Sequence, residues 1–132
     1  LICALLRAVP CSGAVAATWS AAHAKWVKVN THPPFTTYAD SESIRVQGKF
    51  RDVWQKDVED VADPSRVAVT VTRWRYNCVT RQSTMLFYEA FLKSGAPFGS
   101  DGVSKGEQIW DDVLPGSTGA VVMKFTCSAK VH

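Results

Sequence analysis

Histidine is scarce in this chain: 132 residues hold three copies, and two of those sit where chemistry is hard to build. His32 stands beside Pro33 and Pro34, and His132 is the last residue. Neither neighbours a Ser, Cys or carboxylate spaced as a nucleophile, a base and its orienting group would be. No catalysis is expected, and His32 reads as a surface turn residue. Cys-x-x-Cys and His-x-x-x-His spacings are also missing, so neither a metal site nor a cofactor is expected. Asp111 and Asp112 do not make a metal pair, because neighbours on an extended chain point opposite ways. No uninterrupted run of about 20 apolar residues occurs, so the sequence predicts no membrane-spanning helix. A dominant charge is lacking too. Lys and Arg number 15 against 12 Asp and Glu, with both signs interspersed, and the concentrated basic stripe that nucleic acid would need is not there. Repeats and low-complexity runs are absent, and 46% hydrophobic residues suit one compact domain.

What is present begins with an export pattern. Residues 1–24 include an apolar stretch interrupted by Arg7 and Pro10 and end on Ala22-His23-Ala24. Small residues at −3 and −1 from a cut after Ala24 suit a signal peptidase pocket. A signal peptide over 1–24 is therefore expected, with a single domain over 25–132. A lipidated Cys11 fits less well, since Val9 and Pro10 are not the small residues expected just before it. Cleavage removes Arg7, leaving 14 basic against 12 acidic residues and a net charge of +2. Export places the domain in the periplasm or on the outer cell surface.

Cleavage also takes Cys3 and Cys11, leaving Cys78 and Cys127. In an oxidising compartment two cysteines most economically form one bridge, two separate buried thiols being the alternative. A bridge would close a loop of about 50 residues, for which chain entropy gives on the order of 4 kcal/mol.

The dominant period of the remaining chain is two. Lys25–Asn30 alternates, Pro33-Pro34 forces a turn, and Phe35–Tyr38 resumes extended structure. Asp40 is expected to cap the turn that follows. Lys49–Lys56 alternates again with Phe50 and Trp54 on one face, Asp57–Ser65 reads as a solvated acidic loop, and Lys93–Gly102 reads as a loop rich in turn formers. Between these, Arg66–Cys78 and Arg81–Leu92 form the two longest strands. In the first, Val67, Val69 and Val71 point one way while Trp74, Tyr76 and Cys78 carry the apolar side on the other parity, which predicts a bulge near Thr72-Arg73. The second is apolar on both faces, as a strand covered on both sides over part of its length would be. Ser117 is a candidate N-cap for residues 117–127, yet Gly119, Val121, Val122 and Thr126 suit a strand as well as a helix. The tryptophans after residue 24 read as core anchors before ligand platforms.

Trp26, Tyr38-Ala39-Asp40, Ser43-Ile44, Trp54, Cys78, Trp110, Pro115-Gly116-Ser117 and Cys127, in that order, resemble the surface-adhesin protein E family of bacterial exported proteins. The resemblance spans nearly all of 26–127. It implies a mainly β, α+β domain: a curved antiparallel sheet of about six strands with a C-terminal helix tethered by the disulfide, which favours helix for 117–127. It also implies a binding protein whose partners are host extracellular-matrix or serum proteins.

The residues point to one candidate surface for such binding, the hairpin carrying Arg73, Trp74, Arg75, Tyr76 and Arg81. Arginine suits carboxylate and sulfate-like anions, so acidic proteins or sulfated glycans are the expected partners. A solvated strand face that protects an edge from pairing is the alternative for these residues, and a periplasmic envelope-maintenance protein is the alternative for the whole chain.

Overall fold

The computed structural model describes residues 24–131. The expected signal segment lies outside the described residues except for Ala24, as does His132. Eight strands join in one antiparallel sheet. They are β1 (Trp26–His32), β2 (Phe35–Asp40), β3 (Arg45–Gln47), β4 (Phe50–Glu59), β5 (Val67–Asn77), β6 (Gln82–Leu92), β7 (Pro97–Gly102) and β8 (Asp111–Asp112), followed by one helix, α1 (Thr118–Ser128). Six strands run side by side in the order β1-β2-β4-β5-β6-β7, the expected number, while β3 adds to β4 and β8 to β6.

The connections follow from local chemistry. Pro33 and Pro34 cannot extend the β1 ladder, so the chain turns and β2 pairs back through His32 opposite Phe35. Asp40, fully buried, caps the next turn as expected. Its carboxylate accepts from the backbone N–H of Glu42 (3.0 Å) and from that of Lys25 (2.9 Å). Ser43 locks the same turn onto β4 by donating to the Asp40 carbonyl (2.8 Å) and accepting from the Trp54 N–H (2.9 Å). At the other long hairpin the Asn77 side chain accepts from the N–H groups of Val79 and Thr80, both at 3.0 Å, and Arg81 closes the turn with a left-handed φ of 61°.

α1 begins at Ser117, whose hydroxyl accepts from the Ala120 N–H (3.1 Å). It buries Val122 and Met123 against Ala39, Ile44, Val53 and Tyr76, which together form the core. Three ties fix it to the sheet. Asn30 of β1 donates to the Thr118 hydroxyl (3.0 Å), the Arg51 guanidinium of β4 donates to the carbonyls of Thr126 (3.0 Å) and Ala129 (2.7 Å), and Cys127 is bonded to Cys78. Arg51 thus answers carbonyls that a helix end leaves open. Helix, disulfide and antiparallel sheet match the expected fold class.

Three local expectations are corrected. The phase change falls at Arg73–Trp74, but the extra residue is on β6: Arg73 faces Phe87 and Trp74 faces Met85, leaving Leu86 without an opposite number. From Val69 to Asn77, β5 pairs with β4 without a slip, so its even-numbered side chains share the helix face and the odd-numbered ones the other. Asp57 to Glu59 belong to β4, not to the acidic loop, because they pair with β2 and β5. Pro97–Gly102 is an exposed edge strand on β6 despite its turn-forming composition.

Candidate functional site

Because β5 keeps one parity, the five residues singled out on its hairpin separate. Arg73 and Arg75 lie on the face away from the helix, where both converge on Asp52 of β4, whose side chain is 4% exposed. Arg75 is the principal partner, with Nε to Oδ1 at 2.7 Å and Nη2 to Oδ2 at 2.9 Å, a bidentate pair. Arg73 adds one bond from Nη2 to Oδ2 at 2.9 Å and keeps 40% of its side chain exposed against 24% for Arg75. The Asp52 hydrogen bond holds the Arg75 guanidinium still more firmly protonated than an ordinary arginine. Two cations over one anion leave a surplus positive charge on a rigid platform. Arg81 stands apart in the exposed turn.

Aromatic side chains surround that platform. On the same face Trp54 and Phe87 meet edge to face at 5.7 Å, and the Lys56 ammonium lies over the rings of Trp26 (4.7 Å) and Tyr38 (5.0 Å). Trp110, just ahead of β8, packs on Phe50 with ring centroids 5.5 Å apart.

Trp74 and Tyr76 face the helix. Tyr76 is part of the core and 2% exposed, and Trp74 packs against that core. Both also line a groove of about 290 Å³ between the sheet and the start of α1, together with Phe35, Gln55, Asp57 and Ser83. The Asp57 carboxylate accepts from the Thr37 hydroxyl (2.6 Å) and from the Gln55 amide (2.8 Å), and no ion pair reaches it among the described residues. Burial first, and then the nearby Asp57 charge, push the Tyr76 phenol far above its usual range, so it keeps its proton. This groove was not visible in the sequence. Its residues come from β2, β4, β5, β6 and α1, and only the β-strand parities, once known, put Trp74, Tyr76, Gln55 and Asp57 on one side.

An open antiparallel sheet with one helix, bound to a single face by a disulfide between the β5–β6 turn and the helix's last turn, is the class this chain defines. The profile described as surface-adhesin protein E matches residues 26–128, and the chain belongs to that family. A crystal structure of Haemophilus influenzae protein E, crystal form II, shares the fold with a TM-score of 0.52 at 15% identity, covering 77% of this chain and 96% of that one. A crystal structure of protein E from non-typeable Haemophilus influenzae aligns with a TM-score of 0.46 at 15% identity, over 79% of this chain and 84% of that one. No curated protein sequence matches the chain. Among the described residues no helix is long and apolar enough to cross a membrane.

Proposed function

We propose that this protein is an exported bacterial binding protein of the adhesin type, displayed at the cell surface and non-catalytic. It takes acidic segments of host matrix or serum proteins, or sulfated glycans, on the arginine platform of β5. Family membership supports the adhesin reading. The observation that carries the ligand chemistry is the clamp on Asp52: it pre-orders two guanidinium groups and leaves them one net positive charge. Held in place, such groups lose less side-chain entropy on meeting a carboxylate or sulfate than free arginines do. Arg81 extends the field along the same hairpin, while Trp74 and Tyr76, on the other face, take no part in it.

The clamp also dictates the experiment. Glutamates at 73 and 75 would crowd the buried Asp52 with like charges and unfold the sheet, so neutral replacements are used and Arg75 is kept. Binding of the exported protein to heparin and to matrix proteins is compared for the parent and the double variant Arg73→Gln/Arg81→Gln, at low and moderate salt. The parent should bind and weaken as salt rises, since exposed charges more than about 8 Å apart are screened at physiological ionic strength. The variant should bind at least several-fold less. Equal binding by the two forms removes the arginine platform from the reading. Surface labelling of intact cells addresses display: a protein that labels only after lysis is a periplasmic envelope-maintenance protein instead.

A further inference from the structure

The groove beside the helix start carries chemistry that the arginine platform does not use. We propose that it binds one uncharged saccharide ring, packed on Trp74 and Phe35, with its hydroxyls paired to Asp57, Gln55, Tyr76 and Ser83. Tyr76 points to an outside partner most directly. It is 2% exposed, it lines the groove, and its hydroxyl has no hydrogen bond among the described residues. The phenol oxygen is not sealed off: among the described residues the buried side-chain oxygen without a partner is Thr84 Oγ1, so the Tyr76 hydroxyl opens to the groove and can donate to an acceptor that comes from elsewhere. The Trp74 indole N–H and the Ser83 hydroxyl, on the same groove, are likewise unpaired among the described residues. At the rim α1 adds backbone donors, because the Ser117 cap serves Ala120 and leaves the N–H groups of Thr118 and Gly119 open.

Acceptors stand opposite these donors. Each Asp57 oxygen takes a single bond, one from Thr37 and one from Gln55, and both keep a lone pair free. The mixture selects the ligand class. An anion would answer the donors but meet an uncompensated carboxylate; a cation would answer Asp57 and leave the donors empty. A sugar hydroxyl donates and accepts at once, and the C–H face of a pyranose packs on an aromatic ring. About 290 Å³ is at the lower end of small-molecule sites, which start near 300 Å³, and suits one ring with the rest of a glycan outside.

The site is separate from the arginine platform and does not rest on it. The test uses the folded protein in oxidised form and four probes, the methyl glycosides of glucose, galactose, mannose and N-acetylglucosamine, read by backbone amide chemical shifts. At least one should shift the amides of Ser83, Thr118 and Gly119 saturably, with an affinity that does not change with salt. Tyr76→Phe should weaken that probe about 2- to 10-fold, the range for one neutral hydrogen bond. The variant should fold, because the hydroxyl it removes bonds nothing among the described residues. Arg73→Gln should leave the affinity as it was. Four probes that shift none of these amides, a choline or sulfate titration that shifts them where the glycosides do not, or a folded Tyr76→Phe that binds as well as the parent overturns the assignment.

Discussion

Replacing Cys78 and Cys127 together with serine should lower stability by roughly 3–4 kcal/mol, most of the value chain entropy assigns to the loop they close. That loop closes over a sequence separation of 49 and contains β6, β7, β8 and most of α1, so without the bridge the unfolded chain regains the freedom of nearly half the domain. The bridge matters for the helix in particular. α1 has 11 residues, several of them mediocre helix formers, and isolated helices shorter than about 12–15 residues are marginal in water. What remains after the bridge is cut is the burial of Val122 and Met123, the Asn30 bond at one end and the Arg51 bonds at the other. Urea denaturation of the double variant against the parent gives the total, and amide hydrogen exchange locates it. Amides of residues 122–128 should lose protection, while those of β4 and β5, paired on both sides, should keep most of theirs. A double variant within about 1 kcal/mol of the parent, with helix amides equally protected, would show that packing and Arg51 hold the helix without the tether.

Three further outcomes are expected. Arg75→Ala should cost about 2–3 kcal/mol, because it strips both oxygens of a buried carboxylate of a charged donor, whereas Arg73→Gln should cost less than about 1 kcal/mol, since Arg73 is half in solvent and makes one bond; thermal or urea unfolding of the two variants ranks them. Arg81→Val should lose roughly 1–2 kcal/mol and Arg81→Gly none, because only glycine takes a left-handed φ of 61° without penalty; equal stabilities would refute the strain. The folded-state phenol of Tyr76 is held above its unfolded value of about 10, so its share of stability is full below that pH and falls as pH rises past it, because the unfolded chain releases the proton first. Tyr76→Phe should flatten that alkaline decline in the urea midpoint, and parallel declines in parent and variant would assign it to other groups.

The path from sequence to fold was short wherever one residue type decides the local outcome. Pro33-Pro34 ended β1, Asp40 and Ser117 capped the turns and helix that follow them, and Cys78 and Cys127 stood at the two places the bridge joins. The helix itself needed more than propensity: Val121, Val122 and Thr126 favour extended chain, and burial of Val122 and Met123 on the sheet overrides them. Phase was the weak point. A parity change read along β5 lies in its neighbour, since Leu86 is the residue in excess and Val69 and Val71 stay on the face opposite the helix. The same misplacement hid the sites, because Arg75 and Tyr76 are one residue apart in sequence and on opposite sides of the sheet. Asp52 gave no signal either: nothing in Arg51-Asp52-Val53 says that this carboxylate is buried under two arginines from another strand.

The position of the bridge has a mechanical meaning if the protein is the adhesin proposed above and is pulled on by what it binds. A pull transmitted through the two ends of the domain enters the covalent network at Cys78 and leaves it at Cys127, so the chain between them, a sequence separation of 49, carries no tension. Roughly 165–175 Å of extended chain is thereby withheld from any stretching. Only β1 to β5 can be drawn out, while β6, β7, β8, most of α1 and the Arg81 turn lie within the shielded loop. Arg73, Arg75, Trp74 and Tyr76 fall just outside it, on the last strand before the bridge, so load arriving through Cys127 and the bridge bears directly on the end of their strand.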